Sequence, residues 1–498
     1  MKKKVVVIGG GIAGLSAGIY AQKCGFDVII LESHSIAGGN CTAWKRGDYV
    51  FEGGMHWLTG ANPHDRIHTM WRYVGALDDS VVIHKHEPFK EYDHNGTPVR
   101  LYRDVDATER HLLELSPADA KEIKKLCSNI RIVRYMAMPI VDLRGVKVTK
   151  KNPPPAHLII PALSSLYIVK AYAKVSRDAY INRFSHEGLR ELLRSCRSDN
   201  TSIAPMFFPL GALARGDGGF PEGGSLPFVE RMVNTFTKLG GTIRCNTRAD
   251  RVIVENGKAT GVSVTGDNTD KRLAADAVVI AADTMSIEHL FDFPLRSPWL
   301  DEMRVKTEPT TVTLVCLGIK ADLRKYPAYG VFKLRQPIEL ASQNFESLSV
   351  SNYAGNPVYS PEGKTAVTVQ LPGDTYDFWK QAKEEGRYKD EKQKIADKVI
   401  SALAMHMPET GGQIEICDVA TPLTYERYCS NWKGSWMTRM TPGMKMKKYP
   451  PVIKGLSGIY FAGQRMMPPG GLPMALMSAR TAIQYLCRDT GTLFISED

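Results

Sequence analysis

At 498 residues the chain is too long for one small core and long enough for two domains with discontinuous boundaries. Its 43% hydrophobic and 23% charged content is that of an ordinary globular protein, and no uninterrupted apolar run approaches the roughly 18 to 20 residues of a spanning helix. The nine scattered cysteines contain no C-x-x-C pair, which argues against a disulfide framework or zinc site and for reduced thiols in the cytoplasm. The net charge of +11 is concentrated between residues 121 and 190, where 14 Lys and Arg face four acids.

In chain order, Lys3 to Gly9 reads as a short buried strand, Ile12 to Cys24 as a helix, and Phe26 to Glu32 as a second strand ending in an acid. The opening Met1-Lys2-Lys3-Lys4 and its apolar run imitate a secretory signal. That run leads straight into Gly9-Gly10-Gly11, no small-residue cleavage site follows, and secretion is not expected. The three elements form a βαβ unit of about 30 residues around G-x-G-x-x-G, the size and pattern of a dinucleotide cradle. Gly9 permits the tight turn, Gly11 lets the backbone approach a pyrophosphate, and Gly14 lets the helix lie on the strand. Ile12 and Ala13 open the helix, whose free N–H groups face the phosphates. Glu32, followed by Ser33, is placed to accept from a ribose.

Residues 105 to 215 are helical and basic, with apolar pieces at Tyr135–Val141, Leu158–Leu163 and Leu166–Val169. Cations beside apolar and aromatic side chains suit an anionic membrane surface or a plain solvated face, and no nucleic-acid module is recognisable. Beyond this region, Phe220-Pro221-Glu222-Gly223-Gly224 opens a helix through Phe236, with Glu222 a candidate cap for it. A strand at Thr242–Cys245, a hairpin turning at Asn256-Gly257 and a buried strand at Ala277–Asp283 follow. Residues 295 to 445 mix strands and helices. The chain closes with a strand at Gly458–Ala462, a glycine turn from Gly463 to Pro473, and a helix from Ala475 to Cys487. That rear element has the look of a strand and turn closing over a flavin, so one site is expected where the chain's two ends meet.

These elements, together with Ser35-Ile36-Ala37-Gly38-Gly39-Asn40 and Phe51-Glu52-Gly53-Gly54, resemble the phytoene desaturase family of flavoproteins, which includes carotenoid desaturases, carotenoid isomerases and retinol saturase-like enzymes. The resemblance implies an α/β (α+β) fold: a glutathione-reductase-like, Rossmann-type FAD domain from residues 1–104, 216–294 and 451–498. A membrane-facing helical region at 105–215 and a substrate domain at 295–450 would complete it. It implies that Gly9, Gly11, Ile12, Ala13 and Gly14 hold the FAD pyrophosphate, and that Glu32 and Ser33 hold the adenosine ribose. Gly38, Gly39, Asn40, Gly54 and Met55 would lie along the diphosphate and flavin, and Val252 would meet the adenine through its backbone. Gly463, Gly471, Leu472 and Pro473 would contact the ribityl chain and isoalloxazine. Asn40 stands where many relatives carry Arg, and Gly463-Gln464-Arg465 departs from typical phytoene desaturases.

The implied activity is FAD-dependent desaturation, saturation or isomerisation of a carbon–carbon double bond in a long lipophilic substrate, with hydride exchanged at flavin N5. His56 is the candidate catalytic residue, as a near-neutral acid–base group or as a hydrogen-bonded structural histidine. Arg427 or Tyr425 is placed to meet a polar head group, or Arg427 to pair with Glu426. No metal is expected. Two alternatives stay open: a flavin amine oxidase, and a flavin-free prenyl carrier like the Rab GDP-dissociation inhibitors. Substrate, reaction direction, electron partner and oligomeric state are not legible. The expected location is the cytoplasm, with peripheral contact to a membrane through residues 121–190.

Overall fold

The computed structural model describes residues 2–136, 138, 140–150, 159–196, 202–266, 271–441, 444 and 447–497. A five-stranded parallel sheet forms the cofactor half, in the spatial order Ile459–Phe461, Ala277–Ile280, Lys4–Ile8, Asp27–Leu31, Thr242–Arg244. The front, middle and rear of the sequence each supply strands, as the three-segment expectation requires. Val5, Val6 and Val7 form a continuous apolar run because both faces of the sheet are covered: Val5 and Val7 pack toward the helices Ile12–Lys23 and Leu472–Thr490, and Val6 toward a three-stranded antiparallel sheet of Thr247–Glu255, Lys258–Gly266 and Arg272–Ala274. The helix Ile12–Lys23 is buried almost all round, packed between strands and the C-terminal helix Leu472–Thr490. Small residues make this possible: a Cβ on Gly18 would come within 2.8 Å of both Ile30 and Phe236.

The substrate half is built on an eight-stranded sheet whose central strands are Glu308–Ile319, Thr365–Gly373 and Gln343–Asn352. One domain boundary needs correction here. The hairpin Lys90–His94/Thr97–Leu101, given to the cofactor domain by a boundary at 104, joins this sheet instead through parallel pairing with Tyr329–Leu340. The basic region forms the helices Val105–Leu115, Ala120–Val133, Ile159–Tyr172, Glu187–Ser195 and Phe207–Ala214 around their own apolar core. The chain's last residues fold back on it. Phe494 exchanges backbone hydrogen bonds with Lys147 and Thr149, and buried Arg480 pairs with Glu497 at 2.8 Å and Asp142 at 2.7 Å.

Among the described residues no helix is long and apolar enough to cross a membrane. The helix Ile159–Tyr172 nonetheless exposes Leu163, Leu166 and Tyr167, at 61%, 57% and 75% of their full areas. Met138 and Ile140 of the preceding apolar piece instead pack toward the interior, while residues 137, 139 and 151–158 lie outside the described set.

Candidate active site

A cavity of about 2020 Å³ runs between the two halves. One end is made of backbone. Gly10 N–H donates to Glu32 Oε2 at 2.7 Å, and Gly38 N–H donates to the Gly10 carbonyl at 2.9 Å, laying Gly38 and Gly39 against the glycine turn. Gly14 sits behind this turn rather than on the cavity wall. A Cβ there would stand 1.8 Å from the Gly9 carbonyl oxygen, so its role is the close packing of helix on strand. No side chain caps the N-terminus of Ile12–Lys23, and Ile12 and Ala13 line the cavity. Free N–H groups at a helix start favour an anion there.

A second helix begins at the same cavity. Pro473 occupies the first turn of Leu472–Thr490, where its missing N–H is no loss, so the helix starts three residues earlier than the sequence pattern suggests. Gly471, its cap, has φ +98° and no side-chain capping bond. Gln464 braces the turn, accepting from Gly471 N–H at 2.8 Å and donating to the Trp436 carbonyl at 2.7 Å.

The Phe51-Glu52-Gly53-Gly54 stretch is held by its acid. Buried Glu52 accepts from Ser225 N–H at 3.0 Å, Ser225 Oγ, Met55 N–H at 3.2 Å and Gly54 N–H at 3.4 Å. It thereby satisfies the start of the helix Ser225–Lys238, the role expected of Glu222, whose side chain is exposed. The cap comes from a distant segment because Gly224 and the Glu52 turn pack in direct contact. Burial pushes the Glu52 carboxyl above its ordinary pKa.

The same turn places His56 on the cavity wall, its ring 5.2 Å from that of Trp436. Burial pushes the imidazole down to about 4, so near pH 7 the ring is neutral. That removes the near-neutral titration on which an acid–base role for His56 was expected. Tyr425 is buried and donates to the Gly53 carbonyl at 3.0 Å, which makes it a support rather than a head-group contact. Arg427 lines the cavity without pairing to Glu426, which accepts from Tyr376 at 2.7 Å instead.

An ion pair that sequence reasoning missed joins the loops after two neighbouring strands of the cofactor sheet, and its further hydrogen bonds reach the substrate half. Arg465, 2% exposed, binds Asp283 through Nε at 2.6 Å and Nη2 at 2.9 Å, and also reaches Ser435 and Thr438. Asp283 Oδ2 further accepts from Trp432 N–H at 3.0 Å. The available signal was a charge three or four residues past the end of each of two buried parallel strands, where a sheet's ligand edge lies.

Of the residues expected to hold FAD, Gly9, Gly11, Ile12, Ala13, Glu32, Ser33, Gly38, Gly39, Asn40, Gly54, Gly463, Gly471, Leu472 and Pro473 all line this cavity. Met55 turns into the hydrophobic core, and Val252 is a buried core residue of Thr247–Glu255. The cavity wall on that strand is Thr247, Arg248 and Ala249. The strand meets the cavity at its first residues, and a bulge between Ala249 and Arg251 interrupts its pairing before Val252.

The model for flavin-containing amine oxidoreductases matches residues 12–487. The chain belongs to that family. This flavoenzyme is 23% identical to a 1-hydroxycarotenoid 3,4-desaturase of Flavobacterium sp. (strain P99-3), over 96% of the chain and 98% of that protein. It is 22% identical to an all-trans-retinol 13,14-reductase of Danio rerio, over 86% and 76% respectively. Among solved structures it is similar to an oxidoreductase from Methanosarcina mazei, with TM-score 0.61, 17% identity and coverage of 97% and 100%. A redesigned putrescine oxidase gives TM-score 0.63 at 15% identity, covering 98% and 99%. The protein is an FAD-dependent oxidoreductase of phytoene desaturase-like type. Its residues fit the cofactor: an uncapped helix start beside glycine backbone suits the diphosphate, and Glu32 at a strand end suits a ribose.

Proposed function

We propose that the enzyme acts on a carbon–carbon double bond of a long lipophilic substrate, of carotenoid, retinoid, isoprenoid or unsaturated acyl type, which it draws from a membrane surface. The observation that carries this reading is the extent of the cavity. At about 2020 Å³ it is roughly twice the largest usual small-ligand pocket, room for a dinucleotide and a second, elongated molecule. Past the glycine cradle, His56 and Trp436, the walls become apolar, with Met136, Met138, Phe208 and Met440 among them. Leu166, Lys170 and Lys174 carry the cavity to the surface at the helix Ile159–Tyr172.

Bound FAD supplies the two-electron redox chemistry. The chain's own residues orient and dehydrate. The turn Gly53–His56, pinned by Glu52, and the segment Trp432–Trp436, pinned by Arg465 and Gln464, pack against each other as adjoining parts of one cavity wall, a fixed surface for a polyene. Thioether and aromatic walls suit a polarizable chain and exclude water from it. Exposed Leu163, Leu166 and Tyr167 beside Lys170 and Lys174 suit insertion at an anionic bilayer surface, so we place the enzyme on the cytoplasmic face of a membrane.

The test is an absorption spectrum of purified protein before and after anaerobic dithionite, with organic extraction of the same sample. The reading expects a bleachable flavin band near one per chain and a co-purified polyene or acyl lipid. A flavin-loaded protein that binds no polyene or acyl lipid at any concentration would overturn it.

A further inference from the structure

The two nitrogens of His56 meet different surroundings. Nδ1 lies 3.3 Å from the amide nitrogen of Gln370, whereas Nε2 is buried and unpartnered. An amide nitrogen only donates. The same nitrogen also lies 3.4 Å from Ser351 Oγ, which can accept a second hydrogen bond from it. Nδ1 is therefore the acceptor, and the one proton of a neutral imidazole belongs on Nε2. Gln370 sits on the central strand Thr365–Gly373, hydrogen-bonded on both sides, so the ring is braced by sheet rather than loop. Tyr329 adds a second brace, donating to the His56 carbonyl at 2.6 Å.

No charge competes for the ring. Its neighbours from the surrounding elements are Gln370, Ser351, Tyr329 and Trp436, and burial alone accounts for its lowered basicity. Glu52, four residues earlier, is spent on Ser225, Gly54 and Met55. An N–H buried without a partner is expensive, on the order of 1–3 kcal/mol, so a bound molecule that supplies an acceptor gains from it.

We propose that Gln370 is a positioning residue that locks His56 as a neutral Nε2–H donor, and that His56 recognises a hydrogen-bond acceptor of a molecule held in the cavity instead of shuttling a proton. The acceptor is an atom of the flavin ring or an oxygen on the substrate. Only the identity of that acceptor rests on the proposed function; the proton's place on the ring does not.

The experiment uses FAD-loaded enzyme with ¹⁵N-labelled histidine and reads the long-range ¹H–¹⁵N correlations of the ring, with His56→Asn identifying the signal. The expected result is a single Nε2–H form, unchanged between pH 6 and 8. Gln370→Glu, whose carboxylate accepts, should move the proton to Nδ1 or leave the ring charged. A wild-type ring protonated on Nδ1, or one that titrates near its ordinary pKa, overturns the proposal without any variant. A ring unchanged by Gln370→Glu overturns the part assigned to Gln370. If the visible flavin band of substrate-free enzyme shifts in His56→Asn, the acceptor is on the flavin. If it does not, and all-trans-retinol but not a hydrocarbon polyene moves the Nε2–H resonance, the acceptor is the substrate's oxygen. Absence of both responses overturns the recognition role.

Discussion

The two ends of the cavity are made of different material. At the cofactor end the walls are backbone: Gly9, Gly11, Gly38, Gly39, Gly463 and Gly471 leave peptide groups bare, and two helices begin there uncapped. At the substrate end the walls are side chains, methionines and aromatics carried on helices and on the broad sheet. Backbone walls bind a fixed pattern of phosphates and ring edges and tolerate almost no added atom. Side-chain walls bind by shape and exclusion of water, and they can be exchanged one for another at small expense to the fold. This contrast predicts where substitutions hurt.

The largest effect is expected at Gly14→Val. Its Cβ would overlap the Gly9 carbonyl, forcing helix from strand and costing about 3 kcal/mol or more, with loss of bound FAD on purification. Flavin content and thermal melts read this directly. Arg465→Met should cost about 3–5 kcal/mol by leaving Asp283 buried and unpaired, and Arg465→Met with Asp283→Asn should recover much of it. A double-mutant cycle by urea unfolding checks the recovery.

Glu52→Gln should cost about 1–3 kcal/mol, since the amide nitrogen cannot accept from Ser225 or Met55. Its pH dependence gives a sharper reading. Because the folded carboxyl sits above its ordinary value, its favourable contribution is complete below the unfolded pKa and declines as pH rises through the raised one. His56 slopes the other way. Its folded pKa of about 4 lies below the ordinary 6.5, so its contribution is complete above pH 6.5 and is lost as pH falls toward 4. Stability–pH curves of Glu52→Gln and His56→Asn should therefore depart from wild type with opposite slopes.

The smallest effect on the fold is expected at the mouth. Leu166→Asp with Tyr167→Asp should leave stability within about 0.5 kcal/mol and flavin content unchanged, while abolishing sedimentation with anionic phospholipid vesicles. Unchanged vesicle binding would remove the membrane from the account and leave the cavity chemistry standing.

How much of this was legible beforehand follows the same division. The glycine cradle, Glu32, the Asn256-Gly257 turn and the closing strand could be read because backbone geometry admits few residues at such places, and Asn256 and Gly257 do carry positive φ. Arg465 and Asp283 could not be paired, lying 182 residues apart with their strands' order unknown. The strand Thr247–Glu255 reaches the cavity at Thr247–Ala249 and not at Val252, and no residue pattern marks that end of it. The hairpin Lys90–Leu101 gives no local sign that it will pair with Tyr329–Leu340. Gln370, in an apolar strand, carries no motif, and its meaning depends on the histidine 314 residues away.

The central claim is that flavin redox chemistry here is directed at a polyene. Its most direct test is anaerobic stopped-flow absorbance of the FAD-loaded enzyme, oxidised and reduced in separate runs, against phytoene, all-trans-retinol and putrescine. The expected result is a change in flavin redox state, or turnover of the polyene to a new isomer, with at least one polyene and none with the amine. Flavin reduction by putrescine with both polyenes inert would contradict the claim.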